Sequence, residues 1–287
     1  ILLSNQLAAV ADLAFEHTGS ELTVAMSWIG ALSFMLQIYF DFSGYSDMAI
    51  GLGKMFGFDF NENFNYPYIS TSISEYWRRW HISLGEWFRD YLYYPLSIGP
   101  SIKLRKKLSK RISRKATGII CTFFVLFVTW MATGLWHGAN LTFVVWGLIQ
   151  FICIFAEQYR KPLKNKKLGL FIGYITTMFI VLITKVIFRA DNLKQAFVYY
   201  SDMLGLSGNK FINGFTVYWI KQYAVIIIAA MILALPVIPA LDKLCAKNGA
   251  VLKIWGLAKT VLLILLMILS FSFAITGGYN PFIYFNF

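Results

Sequence analysis

Charged residues are scarce in this 287-residue chain. Only 14% of the residues are Asp, Glu, Lys or Arg, whereas 58% are hydrophobic and 18% are aromatic. Soluble domains carry about 25% charged residues, so the composition excludes an ordinary soluble fold. It is typical of a membrane protein built from several spanning helices, and we therefore predict an all-α polytopic membrane protein.

Cysteine is also rare, and its few positions exclude a disulfide framework. Cys121, Cys153 and Cys245 lie in or beside apolar runs, and no pair has the spacing of a metal or redox motif. We interpret them as small core residues and expect no metal site. The chain also lacks a Gly-x-Ser-x-Gly segment, so a serine acyl-enzyme of the hydrolase type is not indicated.

Acidic residues are outnumbered by basic ones, 14 to 26, which leaves a net charge of +12. Such an excess can indicate nucleic-acid binding, but here the cations form blocks between apolar runs. The blocks cover residues 103–115, 160–167 and 243–259. The positive-inside rule places such blocks in the cytoplasm, where they attract anionic lipid or an acidic partner. We therefore expect membrane lipids, and no nucleic acid, as partners.

Six apolar runs are long enough to approach the roughly 20 residues that span a bilayer. The first is expected to break at Asp41 and Asp47, which leaves residues 48–58 as a half-helix or re-entrant segment. The two acids either cap this break or line a polar cavity. The runs cover residues 22–40, 118–136, 138–156, 168–184, 223–241 and a segment from 260 that ends in an aromatic tail with Pro281.

A helix of a different kind is predicted for residues 73–94. Ser72 and Glu75 form a capping box at its start. The segment mixes aromatic residues with arginines along both of its faces, which is typical of an amphipathic helix at the membrane interface. We expect this helix to cover the mouth of a central passage through the protein.

His137 lies between two uncharged runs, 118–136 and 138–156. A titratable side chain at membrane depth is costly and is usually functional, and imidazole transfers protons near neutral pH. The alternative is a histidine in an interfacial turn that bonds to water or a carbonyl. His81 approaches from the cytoplasmic side in the topology that the basic blocks predict. If both histidines serve one site, that site is a passage through the protein.

Several ordered motifs resemble signatures of the membrane-bound O-acyltransferase family. The resemblance is greatest to the bacterial branch that O-acetylates polysaccharides such as alginate, and teichoic acid D-alanyl transferases are a near branch. The motifs are Asp41-Phe42-Ser43-Gly44-Tyr45-Ser46-Asp47, residues 62–67, Tyr76-Trp77-Arg78-Arg79-Trp80-His81, residues 87–91 and Leu135-Trp136-His137-Gly138.

The resemblance implies a single membrane-embedded acyltransferase domain over residues 1–287, in a bacterial plasma membrane. It places the family's membrane histidine at His137 and its second histidine at His81. Family members usually begin with several further spanning helices, so we expect part of the wall of the site to be missing from this chain.

The chemistry of acyl transfer suggests a role for each candidate residue. His137 is the expected general base, and His81 orients it or binds the pantetheine arm of the donor. Asn140, or a backbone N–H near Gly138, is the candidate oxyanion donor, although Asn140 equally suits the cap of the next helix. Phosphates of the donor, or alternatively lipid headgroups, suit Arg78, Arg79 and Arg89. Asp41, Asp47, Trp80 and Trp136 are candidate cavity-lining residues.

The predicted function is transfer of an acyl group, expected to be acetyl, without a bound cofactor. The donor is a cytoplasmic thioester on coenzyme A or an acyl carrier protein. The acceptor is a hydroxyl of an extracytoplasmic polysaccharide or of a relay protein. The alternatives are D-alanyl transfer to teichoic acid by the same mechanism, or a transporter or scaffold without catalysis. No internal repeat of the transporter kind is apparent.

Overall fold

The computed structural model describes residues 1–19, 21–161, 163 and 165–276, which form helices and loops without any strand. Six of these helices are long and apolar enough to cross a membrane. The prediction of an all-α, multi-pass membrane protein is therefore confirmed. The predicted aromatic tail with Pro281 lies outside the described residues.

The helices are α1 (Ser4–Glu16), α2 (Val24–Met55), α3 (Ile73–Trp77), α4 (Ile82–Phe88), α5 (Tyr94–Ile98), α6 (Pro100–Leu108), α7 (Arg114–His137), α8 (Leu141–Tyr159), α9 (Lys166–Arg189), α10 (Leu193–Met203), α11 (Gly214–Leu233), α12 (Val237–Cys245) and α13 (Gly249–Thr276).

The described residues divide into two compact units. The first combines Ile1–Tyr45 with the described residues from Tyr199 onward. Its α1 packs against α11, and the Phe15 ring stacks on the Tyr199 ring at 4.2 Å between centroids. The Tyr199 hydroxyl donates a 2.8 Å hydrogen bond to the Ser27 carbonyl. The expectation of a single domain stays a prediction.

The second unit, Ser46–Val198, contains the two histidines of the predicted site. Its centre is the hairpin of α7 and α8, which turns at Gly138–Asn140 as predicted. Two glycines let these helices touch closely. A Cβ at Gly134 would lie 2.6 Å from the Phe143 carbonyl oxygen, and one at Gly147 would lie 2.6 Å from the Trp130 carbonyl oxygen. Small residues at such positions allow the backbones of two spanning helices to pack close together.

The predicted break in the first spanning helix was wrong. Helix α2 continues through Asp41 and Asp47 to Met55, so residues 48–55 are part of it and not a separate half-helix. A helix satisfies its backbone hydrogen bonds internally, and Gly44 lies inside it without disrupting it. The residue that follows the end of the helix and turns the chain is Gly57, whose φ of +80° is easily adopted only by glycine.

The predicted helix over residues 73–94 is broken at His81. The Ser72 N-cap at its start is confirmed, since the Ser72 hydroxyl accepts a 3.0 Å hydrogen bond from the Glu75 N–H. The Glu75 carboxylate completes the predicted capping box differently, because it accepts a 2.9 Å hydrogen bond from the Thr71 N–H. Helix α3 then ends at Trp77, and His81 takes a left-handed backbone conformation with φ +46° and ψ 54° before α4 begins. A wider turn over Arg89–Tyr93 links α4 to α5.

Hydrogen bonds to the preceding loop, at Asn63 and Asn65, explain the break. The Asn63 carbonyl accepts a 2.9 Å hydrogen bond from the Ile82 N–H, and the Asn65 N–H donates a 2.9 Å bond to the Arg79 carbonyl. These bonds replace helical ones, so tertiary contacts override the local helical pattern.

The fifth spanning helix also lies elsewhere than predicted. It covers Gly214–Leu233 and not residues 223–241. Asn213 caps its start by accepting a 2.8 Å hydrogen bond from the Thr216 N–H. Pro236 then separates it from the short helix α12, as expected for a residue that cannot continue a helix.

Candidate active site

The segment that carries Arg78 and His81 is held by α3, which is bonded to helix α8 of the second unit. The indole N–H of Trp77 donates a 3.0 Å hydrogen bond to the Gln150 side-chain oxygen in α8. At the other end of α3, the Glu157 carboxylate accepts from the backbone N–H groups of Ile73 and Ser74 at 2.6 and 2.9 Å. Since both ends of α3 bond to α8, the following turn is held in one position.

Asn63 determines the tautomer of His81. The Asn63 side-chain oxygen lies 3.1 Å from His81 Nδ1 and also accepts hydrogen bonds from the N–H and hydroxyl of Ser83. Its amide nitrogen donates a 3.0 Å bond to the Ser46 hydroxyl. Because the Ser83 N–H is a fixed donor, the Asn63 oxygen is the atom that faces Nδ1. His81 Nδ1 therefore carries the proton, and Nε2 is the basic nitrogen.

The two histidines meet at one tryptophan. The Trp136 ring centroid lies 6.2 Å from that of His81 and 5.0 Å from that of His137. The rings of Trp146 and Phe188, each at 5.1 Å, and of Phe143, at 6.1 Å, also contact the His137 ring. The structure thus brings together the two residues that the sequence predicted for one site.

His81 is neutral at physiological pH. Burial lowers its pKa, and the positive charge of Lys185 lowers it further, to about 4. An imidazole in this state accepts a proton or a hydrogen bond at Nε2 and does not act as a fixed cation.

A cavity of about 550 Å³ opens beside His81, a size within the usual range for small-molecule sites. Its polar wall includes Arg78, His81, Glu86, Arg89 and Gln158. Its apolar wall comes from α7, α8 and the aromatic residues of α3 and α4, among them Trp77, Phe88 and Trp130. A cavity that is lined by arginines as well as by apolar side chains suits a ligand with an anionic head and a thioester arm.

The three candidate arginines differ in their surroundings. Arg79 bonds to the Glu75 carboxylate at 3.0 Å and to the Asn65 carbonyl at 3.2 Å, and it does not line this cavity. Arg89 pairs with Asp90 at 2.9 Å and with Glu86 at 3.7 Å. Arg78 is exposed, lines the cavity and forms no ion pair within the described ranges. Arg78 is therefore the arginine that is best placed to receive an anionic ligand.

Asn140 has the geometry of a helix cap. Its side-chain oxygen accepts a 3.2 Å hydrogen bond from the Thr142 N–H, and its amide nitrogen donates a 2.6 Å bond to the Asp191 carbonyl. These bonds favour the capping alternative for Asn140, and its role as an oxyanion donor stays a prediction.

The candidate cavity-lining residues are dispersed. Trp136 is 51% exposed and contacts both imidazoles, whereas Trp80 is buried and faces the Lys185 ammonium. Asp47 is exposed on α2 and is not part of the wall of the His81 cavity. Asp41 belongs to the first unit, so its place in the site stays a prediction.

Two residues of the site were missed in the sequence. Asn63 lies in the family motif at residues 62–67, but the sequence assigned it no role. Lys185 directly follows the predicted run 168–184 and was likewise given no role, but it is 4% exposed, and its ammonium lies 4.1 Å from the Trp80 ring centroid. A single lysine before the last turn of a spanning run was the available signal. No group of three His, Cys, Asp or Glu residues that suits a metal ion occurs in the described part of the chain.

Several known proteins are similar to this chain. The model of the membrane-bound O-acyltransferase family matches residues 16–167. The probable alginate O-acetylase of Pseudomonas putida is 36% identical over 301 residues, which cover 100% of this chain and 58% of that protein. The peptidoglycan O-acetyltransferase of Helicobacter pylori is 29% identical over 100% of this chain and 54% of its own. The teichoic acid D-alanyltransferase of Bacillus subtilis is 33% identical over 46% of this chain and 32% of its own. The chain thus spans little more than half of the length of the relatives that it matches from end to end.

Proposed function

The chain belongs to the membrane-bound O-acyltransferase family, and we propose that it transfers an acetyl group from a cytoplasmic thioester to a hydroxyl outside the membrane. The observation that carries this proposal is the packing of His81 and His137 against one ring, Trp136. His81 also lines a cavity together with Arg78. This arrangement supports the assignment of a donor site beside His81 and of a base at His137.

His137 acts as the general base in this proposal. It removes the proton of the acceptor hydroxyl while the oxygen attacks the thioester carbonyl carbon. The new ester forms as the carbon–sulfur bond breaks, and the imidazolium returns its proton to the departing thiolate. Positioned bases of this kind contribute roughly 10²–10⁴-fold to a rate. His81, held by Asn63, binds or orients the thioester through Nε2.

The donor occupies the cavity beside His81. Arg78 binds its phosphates with charge-assisted hydrogen bonds, Arg89 provides a further cation, and the aromatic wall accommodates the pantetheine arm. Coenzyme A and an acyl carrier protein present the same phosphopantetheine chemistry to this cavity. The 3′-phosphate of coenzyme A distinguishes the two donors, which makes it a useful probe.

The acceptor is a polysaccharide hydroxyl, or a relay protein that passes the acyl group to one. The Pseudomonas putida relative, a probable alginate O-acetylase, and the Helicobacter pylori relative, a peptidoglycan O-acetyltransferase, support this class. The Bacillus subtilis relative supports a second candidate, D-alanyl transfer, which the same base would perform. Family membership favours either enzyme over a transporter or a scaffold.

The test is release of free thiol by the detergent-purified protein. Acetyl-CoA and a D-alanyl carrier protein are supplied in turn, with polysaccharide acceptors. His137→Ala should lower transfer by at least about 100-fold, with its melting temperature near that of the wild type. His17→Ala is the matched control, because His17 is an exposed histidine of the first unit. Wild-type activity of His137→Ala would contradict the assignment of the base, and an inactive wild-type protein with both donors would contradict the function.

A further inference from the structure

Lys185 is a buried cation at the candidate active site. It lies in the spanning helix α9, one turn before the end of that helix, and it is only 4% exposed. A charged side chain at membrane depth is costly unless it is paired or functional. The surroundings of its ammonium group therefore decide what it does.

Aromatic rings, and not acids, surround this ammonium. Its nitrogen lies 4.1 Å from the Trp80 ring centroid and 5.3 Å from that of Phe188. Cation–π contacts of this kind compensate only part of the cost of desolvating a charge. Lys185 forms no hydrogen bond and no ion pair with an Asp or Glu in the part of the chain that the structure describes.

The position of this charge relates it to the acyl-transfer site. The Phe188 ring that faces the ammonium also contacts the His137 ring at 5.1 Å. Trp80, the other ring that faces the ammonium, directly precedes His81 in the chain. The Lys185 charge interacts electrostatically with both imidazoles. The unpaired positive charge thus lies close enough to both imidazoles to influence them, and an anion forms near these imidazoles if the two histidines perform acyl transfer.

We propose that Lys185 stabilises the oxyanion of the tetrahedral intermediate. As the acceptor oxygen attacks, the electron pair of the thioester carbonyl moves to its oxygen, and the ammonium binds the resulting negative charge. When the carbon–sulfur bond breaks, the electron pair on the oxygen re-forms the carbonyl double bond and the negative charge leaves with the thiolate. The lysine therefore gives up no proton in this step. An acid beside Lys185 would cancel the charge that this role requires.

This inference rests on the proposed function, and it names the group that stabilises the oxyanion, a role that the two histidines do not fill in that proposal. Preorganised positive charge in a site that excludes water contributes mainly to the transition state. The neutral carbonyl of the bound donor attracts the ammonium weakly, so donor binding depends little on Lys185. Asn140, the sequence-based candidate for this role, has its side chain engaged in the cap of α8.

The experiment compares Lys185→Met, Lys185→Arg and Lys167→Met in the detergent-purified protein. Lys167 lies on the same helix and is exposed, so its replacement controls for loss of a lysine in α9. For Lys185→Met we expect kcat to fall by about 10²–10³-fold, the effect of removing one oxyanion donor, with donor KM within about threefold of the wild type. Lys185→Arg should recover at least tenfold of this loss (about 1.4 kcal/mol). Lys167→Met should match the wild type.

Melting temperature separates catalysis from structure. Lys185→Met removes an unpaired buried charge, so its melting temperature should equal or exceed that of the wild type. A variant that is as stable as the wild type and transfers at the wild-type rate would overturn the proposal, and so would a loss of both stability and activity. If the wild type transfers and His137→Ala does not, either result refutes the lysine assignment alone. An inactive wild-type protein would instead refute the proposed function.

Discussion

Arg78 and Arg79 are adjacent, but the structure predicts that their removal has different consequences. Arg79 is bonded to Glu75 and to the Asn65 carbonyl, whereas Arg78 lines the cavity and forms no ion pair within the described ranges. We therefore expect Arg78→Gln to weaken donor binding and Arg79→Gln to weaken the fold. Each variant is the control for the other, because both remove one positive charge from the same turn.

The magnitudes follow from these contacts. A hydrogen bond to a charged group contributes about 1.5–3 kcal/mol, and each 1.4 kcal/mol corresponds to about tenfold in affinity. Arg78→Gln should therefore raise donor KM by about 10- to 100-fold, with little change in kcat. Arg79 and Glu75 have side chains that are 27% and 25% exposed, so their partly screened pair and the bond to Asn65 together contribute about 1–2 kcal/mol of stability.

The assay is thiol release as a function of acetyl-CoA concentration, repeated with the analogue that lacks the 3′-phosphate. Wild-type protein should prefer acetyl-CoA, and Arg78→Gln should lose most of this preference if Arg78 binds that phosphate. Arg79→Gln should keep the preference but unfold at a lower temperature. A larger KM change for Arg79→Gln would refute the division of roles. Unchanged kinetics in Arg78→Gln would favour contact with lipid headgroups.

Three further predictions test the packing, the positioning of His81 and its protonation. Gly147→Ala should destabilise the protein by about 1–3 kcal/mol, because the new Cβ would lie 2.6 Å from the Trp130 carbonyl oxygen. Gly118→Ala, where a Cβ meets nothing within 4 Å, should be neutral or stabilising in the same thermal unfolding assay, and equal effects of the two would contradict this account. Asn63→Ala should lower kcat by about tenfold, since it removes the acceptor of His81 Nδ1, whereas Asn63→Asp keeps an acceptor and should retain most activity; equal losses would contradict the positioning role. The pKa of His81 is about 4 in the folded protein and about 6.5 for a free imidazole, so the unfolded chain binds the extra proton between these values. Protonation of His81 should therefore not affect the free energy of unfolding above about pH 6.5, and it should lower this free energy towards pH 4 by at most about 3 kcal/mol. His81→Asn, which tolerates the left-handed backbone, should reduce this pH dependence in melting experiments, and an unchanged dependence would assign it to other groups.

The number and type of the spanning helices could be predicted from the sequence. Within a bilayer the backbone must satisfy its own hydrogen bonds, so an apolar run of sufficient length has to be a helix. The hairpin of α7 and α8 with His137 at its turn follows from two such runs in succession. The family motifs likewise identified His81 and His137 before their contacts with Trp136 were known.

The ends of the helices were less predictable than their number. Asp41 and Asp47 suggested a break that helix α2 does not contain. The aromatic helix over residues 73–94 suggested continuity, yet hydrogen bonds from Asn63 and Asn65 interrupt it at His81. In the first case the helix continues past both acids with its backbone bonds satisfied internally, and in the second the loop contacts outweigh a weak local preference.

The arrangement of charges around the site was decided only by the tertiary structure. Arg78 and Arg79 are equivalent in sequence, but one faces a cavity and the other faces Glu75. Lys185 looked like the polar end of a spanning run, and the packing of α9 instead buries it against Trp80 and Phe188. A charge acquires its chemical role from the dielectric and the partners around it, and these come from chain segments that only folding brings together.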